Sequence, residues 1–172
     1  MDAQALRELQ APLKRKYRQR PGAAKVTLTA RSRMGEGITC KLETAKAWLD
    51  AGLHPAAGGD GHAACSGDML LEALAACAGV TLKAVATVIG VELRDATVSA
   101  EGDLDFRGTL AVDKGVPVGF QRIRLTFDLD SDATDDQLES LIRLTERYCV
   151  VYQTLANPPQ VTVVSRTVRS AG

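Results

Sequence analysis

The chain has 172 residues, of which 45% are apolar, 24% charged and 4% aromatic, and its formal net charge is zero. That length fits one domain with a sizeable core, and the apolar fraction excludes global disorder. The absence of a basic excess argues against a nucleic-acid surface or an electrostatic membrane anchor, and so few aromatics argue against a base-stacking platform.

The first residues, Met1-Asp2-Ala3-Gln4-Ala5-Leu6-Arg7-Glu8, lack the apolar run after a basic start that marks a secretory signal. Leu6, Leu9, Leu13 and Tyr17 recur at helical spacing, and Lys14, Arg15, Lys16, Arg18 and Arg20 crowd the end of that stretch. Cations suit the negative end of a helix, and Pro21-Gly22 stops it. Residues 1–21 therefore read as a helical arm and 22–172 as a single domain. The basic cluster reads as a solvated helix end, with a patch for an acidic partner as the alternative.

Residues 25–31 alternate as a strand, Gly35-Glu36-Gly37 makes a turn, and 38–43 return as a second strand. Cys40 shares one face of that hairpin with Ile38 and Leu42, so it is expected to pack as a small hydrophobe. Residues 44–52 read as a short helix or turn carrying Trp48. A loop rich in Gly and Ala follows, with His54 and His62 expected in solvent.

A long helix is predicted from about Gly67 to Ile89, capped by Ser66 or Asp68 and ended by Gly90. It is small and apolar nearly all round, which predicts burial. Glu72 and Lys83 interrupt it, so it reads as a core helix rather than a membrane span. Residues 91–106 have strand character, with Glu101, Asp103 and Asp105 on the solvent face. Residues 108–119 read as a loop, and 122–130 as the cleanest alternating strand. Thr134 caps a helix with Asp135 and Asp136 in its first turn, and Leu138, Leu141, Ile142 and Tyr148 extend it toward Cys149. Asn157-Pro158-Pro159 breaks the chain, and Val161-Thr162-Val163-Val164 is expected to close as a strand. This order predicts an α+β fold, an antiparallel sheet packed on helices.

The four cysteines, Cys40, Cys65, Cys77 and Cys149, contain no Cys-x-x-Cys and no nearby His pair. With a cytoplasmic location expected, they do not form a structural disulfide framework, and neither metal nor organic cofactor is expected. His62 precedes Cys65 by three residues without further ligands in sequence. Cys65 reads as a loop thiol, or alternatively as a third redox partner or a ligand for a bound group. Cys77 and Cys149 both lie in apolar, helix-forming segments beside small or β-branched residues, Ala76, Ala78 and Val150. They can be inert packing. The less common alternative is a dithiol site, in which a thiolate attacks an O–O bond and a second thiol condenses with the sulfenic acid. Cys77 sits mid-helix, far from the helix N-terminus, so a thiolate there is expected to need a cation.

The segment Ser66-Gly67-Asp68-Met69-Leu70-Leu71-Glu72-Ala73-Leu74-Ala75-Ala76-Cys77 resembles the signature of the OsmC/Ohr family, the osmotically inducible and organic-hydroperoxide-resistance proteins. Tyr148-Cys149-Val150-Val151-Tyr152-Gln153-Thr154-Leu155, followed by Pro158-Pro159 and a Val-rich segment, is similar to its second mark. The resemblance covers nearly the whole chain and implies an OsmC-like fold on a long buried central helix, in a tightly intertwined homodimer. It implies Cys77 as the peroxidatic thiol and Cys149 as the resolving thiol. It implies an arginine from the turn between the first two strands, best matched by Arg33, with Arg31 the alternative; a guanidinium stays charged when partly buried. The hydroperoxide-resistance branch carries a glutamate ten residues before the first Cys, where this chain has Gly67, so Asp68 or Glu72 are the acids that could substitute. The chain is thus identified as a member of a divergent OsmC-like branch. Its implied activity is thiol peroxidase, with an organic hydroperoxide as substrate, a dithiol as reductant and Leu70, Leu74 and Val150 lining an apolar pocket. No nucleic-acid or membrane partner is expected. The alternative is a non-catalytic module binding a small apolar ligand at the dimer interface. A third reading is an interaction protein using the basic segment 14–20.

Overall fold

In the computed structural model, which describes residues 2–20, 23, 31–34, 39–43 and 48–167, the elements run α1 (Ala3–Gln19), β1 (Arg31–Met34), β2 (Thr39–Glu43), β3 (Trp48–Gly52), β4 (Ala64–Cys65), α2 (Ser66–Ile89), β5 (Asp95–Asp103), α3 (Phe106–Thr109), β6 (Arg122–Asp130), α4 (Asp135–Tyr148) and α5 (Val150–Ala156). One sheet has the order β1-β2-β3-β4, antiparallel except for the β3–β4 pair, and a second consists of β5 and β6. The fold is α+β with the long helix at its centre.

α2 ends where the sequence puts its glycine. Gly90 adopts φ 75°, which costs glycine no Cβ clash, and its N–H donates to the Ala86 carbonyl. The N-cap is Cys65 rather than Ser66 or Asp68, and it makes no side-chain cap bond; Asp68 lies in the first turn instead. The β4 pairing with β3 holds Cys65 extended, so the helix cannot start earlier than Ser66. One face of α2 supplies Leu82, Val85 and Ala86, which bury with Val91 and Leu141 under Val98, Phe127 and Leu129 of the β5–β6 pair. The expected burial all round holds for that face only: Val80 is 73% exposed and Val88 50%.

Alternation in 122–130 is realised residue by residue. Ile123, Leu125, Phe127 and Leu129 turn inward, and the residues between them face solvent. On the outer face Arg124 donates to Asp103 at 2.6 Å and to Glu101 at 3.2 Å. Asp105 does not continue this face. It leaves the strand to cap α3, accepting from the Arg107 N–H at 3.0 Å. Phe120 lies flat on Gly102, where a Cβ would fall 2.5 Å from the ring's Cε1, so only glycine admits the ring there.

Two expectations change, and a third lies almost wholly outside the described residues. Residues 48–52, read as helix or turn, form β3, because Trp48 and Leu49 complete a ladder against Glu43 and Leu42. Of the strand expected at 25–31, residues 25–30 lie outside the described residues, and Arg31 opens β1 opposite Glu43. Residues 161–164 pair with no strand among the described residues; Val161, Val163 and Val164 are 82%, 89% and 74% exposed. A strand is stable only against another, and this segment meets none among the described residues.

Candidate active site

The site is built where α4 stops. α4 starts with the capping box the sequence promises: Gln137 N–H donates to Thr134 Oγ1 at 3.4 Å, and Thr134 N–H donates to Gln137 Oε1 at 2.9 Å. It ends at Cys149, whose φ −73° and ψ 110° are extended, and α5 begins at the next residue. Cys149 thus closes one helix and opens another, rather than lying inside one. Its N–H donates to the Thr145 carbonyl at 2.9 Å, and its Sγ accepts from the Tyr152 N–H at 3.5 Å, as an N-cap side chain does. Gln153 Nε2 reaches back to the Glu146 carbonyl at 2.9 Å, filling an acceptor that the interrupted helix leaves open. The junction is packed against α2, and Cys149 is 1% exposed.

This kink brings the first backbone N–H groups of α5 onto Cys77. The Val151 N–H, the Cys149 thiol, the Val150 N–H and the Thr81 hydroxyl lie on the side of Cys77 and favour its thiolate by hydrogen bonding. Burial pushes the Cys77 thiol up, and these four donors together outweigh it, leaving Cys77 below its ordinary value. Cys149 moves the opposite way. Burial pushes it up, the Tyr152 N–H opposes, and the neighbouring Cys77 pushes it up further. The two shifts order the pair: Cys77 gives up its proton more readily than Cys149. Neutral donors alone thus lower Cys77, and the side chains of the candidate cations Arg31 and Arg33 lie outside the described residues.

The other residues singled out by sequence are distributed less tightly. Arg33 pairs with Lys41 within β1 and β2, so it lies in the strand and not in the turn; Arg31 pairs with Glu43. Their side chains, and that of Cys40, lie outside the described residues. Asp68 and Glu72 are both exposed on α2. A Cβ at Gly67 would stand 3.5 Å from Phe120 Cζ and 3.6 Å from Cys65 Sγ, so Phe120 occupies the space beside that position. Leu74 is buried and lines a cavity of about 410 Å³ with Phe120, Ile123, Leu125, Phe127, Tyr152 and Leu155, with Gln121, Arg122 and Glu146 also along its wall. Leu70 and Val150 do not line it; both are exposed. His54, expected in solvent, is half-buried: it caps a short turn by accepting from the Ala56 N–H at 3.0 Å and stacks on Phe106 at 4.9 Å. His62 is exposed, and no group of three His, Cys, Asp or Glu is gathered to hold a metal among the described residues. Sequence reasoning missed Thr81 and the two backbone donors. Thr81 was available from its spacing, one helical turn after Cys77.

Residues 59–164 match the family model for OsmC-like proteins, more than half of the chain. Among solved structures, the chain is similar to an OsmC-like protein from Mycoplasma pneumoniae, with a TM-score of 0.66 at 14% identity over 78% of this chain and 90% of that one. It is similar to an organic hydroperoxide resistance protein OsmC from Legionella pneumophila, described as a predicted redox protein, with a TM-score of 0.61 at 20% identity over 78% and 92%. The organic hydroperoxide resistance protein OhrB of Bacillus subtilis aligns with a TM-score of 0.54 at 18% identity over 77% and 93%. At such identities these likenesses establish the fold alone. No curated protein sequence matches the chain.

Proposed function

The chain belongs to the OsmC-like protein family, and on that footing we propose that it is a thiol-dependent peroxidase reducing organic hydroperoxides through Cys77 and Cys149. The observation that carries this reading is the contact between a Cys77 held toward thiolate and a Cys149 held toward thiol. The Cys77 thiolate attacks the outer oxygen of ROOH; the O–O bond breaks, and RO⁻ leaves and takes a proton as ROH. Cys77 is then a sulfenic acid. The Cys149 sulfur displaces its hydroxyl, forming the disulfide and releasing water. A dithiol reductant returns both thiols by exchange. Cys149 already faces Cys77, so resolution demands no large movement.

Arg33 or Arg31 holds the peroxide and supports the thiolate in this reading, as the family resemblance implies, and Leu74 with its cavity gives the organic group an apolar wall. The site works in the cytoplasm within an intertwined homodimer. The exposed apolar face of α2 and the exposed valines of 161–164, unpaired among the described residues, support a second copy as their cover. Hydroperoxide reduction followed through a dithiol-coupled reductant tests the proposal. Cys77→Ser abolishes turnover, and Cys149→Ser retains one equivalent of peroxide consumption before stalling. Full activity in Cys77→Ser would sink the mechanism.

The absence of the family glutamate at Gly67 favours a second reading, a non-catalytic module that binds a small apolar ligand. It predicts ligand binding with both thiols still reduced after exposure to peroxide.

A further inference from the structure

Phe120 stands in the connection between α3 and β6, outside any regular element, yet its place is fixed. The N–H of the next residue, Gln121, donates to the Asp103 carbonyl at the end of β5, at 2.9 Å. The ring then falls across Gly102, where a Cβ would stand 2.5 Å from Cε1 and 2.6 Å from Cδ1. Two carbons that are not bonded settle about 3.5–4.0 Å apart, so the ring lies there because residue 102 has no side chain. On α2, the ring's Cζ is 3.5 Å from where a Cβ of residue 67 would stand. Two glycines, one on the strand and one on the helix, thus leave room for this ring. Gly67 is also the position where the resemblance expects a glutamate.

The same ring is a wall of the cavity of about 410 Å³, which Leu74, Ile123, Leu125, Tyr152 and Leu155 also line among the described residues. The cavity adjoins the thiol pair. Leu74 is one helical turn before Cys77 on α2, and the Tyr152 N–H donates to Cys149 Sγ at 3.5 Å. These other lining residues sit on α2, α5 and β6, so the fold sets their places. We propose that Phe120 is the specificity-determining residue of this cavity: its ring sets how large an alkyl or aryl-alkyl group the cavity takes. A smaller side chain at 120 would open the cavity to the space beside Gly67 and Gly102. A side chain at 102 would push the ring out of its seat. In a hydrophobic pocket each methylene that fits or fails to fit changes affinity about tenfold or more, so one ring is enough to sort ligands by size.

The choice among hydroperoxides rests on the peroxidase reading, whereas the size limit does not. The test therefore uses ligands without an O–O bond. Straight-chain primary alcohols, from butanol to dodecanol, displace the apolar fluorescent probe N-phenyl-1-naphthylamine from the reduced full-length protein. Each methylene that enters the cavity should tighten binding about fourfold, until the chain meets the walls and the gain stops. Phe120→Ala should carry the gain to longer alcohols, and Phe120→Leu, which keeps an apolar fill, should lie between. Gly102→Ala should lower Tm in the parent and lower it less in the Phe120→Ala background, where the added Cβ meets no ring. The same stopping length in parent, alanine and leucine proteins would overturn the proposal. So would a parent protein that binds none of the alcohols, or an equal Tm loss from Gly102→Ala in both backgrounds. A shifted alcohol limit without any hydroperoxide turnover would support the size limit and count against the peroxidase reading alone.

Discussion

Replacing Gln153 by alanine should loosen the junction on which the site depends. Gln153 Nε2 is bonded to the Glu146 carbonyl at 2.9 Å, and its Oε1 accepts from Asn157 at 3.2 Å, so one side chain ties the end of α4 to the end of α5. Cys149 interrupts the helix and leaves the Glu146 carbonyl without a backbone partner four residues on. Glu146 is half-buried, so water can replace the lost donor in part. The net cost is then that of one ordinary hydrogen bond, about 1 kcal/mol. For a domain of this size that lowers Tm by roughly 2–4 °C at fixed protein concentration. The consequence for chemistry is larger than for stability. A junction that opens more often withdraws the Val150 and Val151 N–H groups from Cys77, and the Cys77 midpoint in an alkylation series rises. Gln153→Met keeps the stem without the amide and should behave like alanine. Thermal unfolding and Cys77 alkylation, measured on the same preparations, give both numbers. An unchanged Tm together with an unchanged Cys77 midpoint would refute the brace.

Further outcomes follow from the core and from the thiol pair. Leu141 is fully buried against α2, and Leu141→Ala should cost about 2–5 kcal/mol in urea unfolding; a loss well below 1 kcal/mol would contradict its place in the core. As pH rises, Cys77 should titrate before Cys149, because hydrogen bonds lower the first and burial raises the second. The sign for stability differs between them. The contribution of Cys77 is present above the ordinary thiol value and lost as pH falls through its lowered one. The contribution of Cys149 is present below the ordinary value and lost as pH rises toward its raised one. Separate alkylation midpoints for the two residues check the order, and a midpoint for Cys149 below that of Cys77 would reverse the assignment of roles.

Much of the fold was legible because its signals are local. The alternation of 122–130, the Thr134 cap with Gln137 three residues on, and Gly90 after an apolar helix each name their own structure. The α4–α5 break was not legible. Cys149 is followed by two valines and a tyrosine with no Gly or Pro, and cysteine is not among the usual capping residues, so nothing in the sequence announces an N-cap there. The break follows from packing against α2, a tertiary effect. Both thiols were identifiable from the segments around them, whereas the donors to Cys77 were not. Two are backbone N–H groups, which carry no residue identity, and they become visible only once the kink is known. The strand at 48–52 was missed for a related reason: its pairing with β2, rather than an alternating pattern, defines it.

The most direct test is to treat the reduced protein with one equivalent of an organic hydroperoxide and map its disulfides by mass spectrometry, with Cys77→Ser alongside. The peroxidase account predicts a rapidly formed Cys77–Cys149 bond that is absent from the variant. Prolonged exposure that leaves both thiols free would contradict it and leave the pair as the lining of a ligand site.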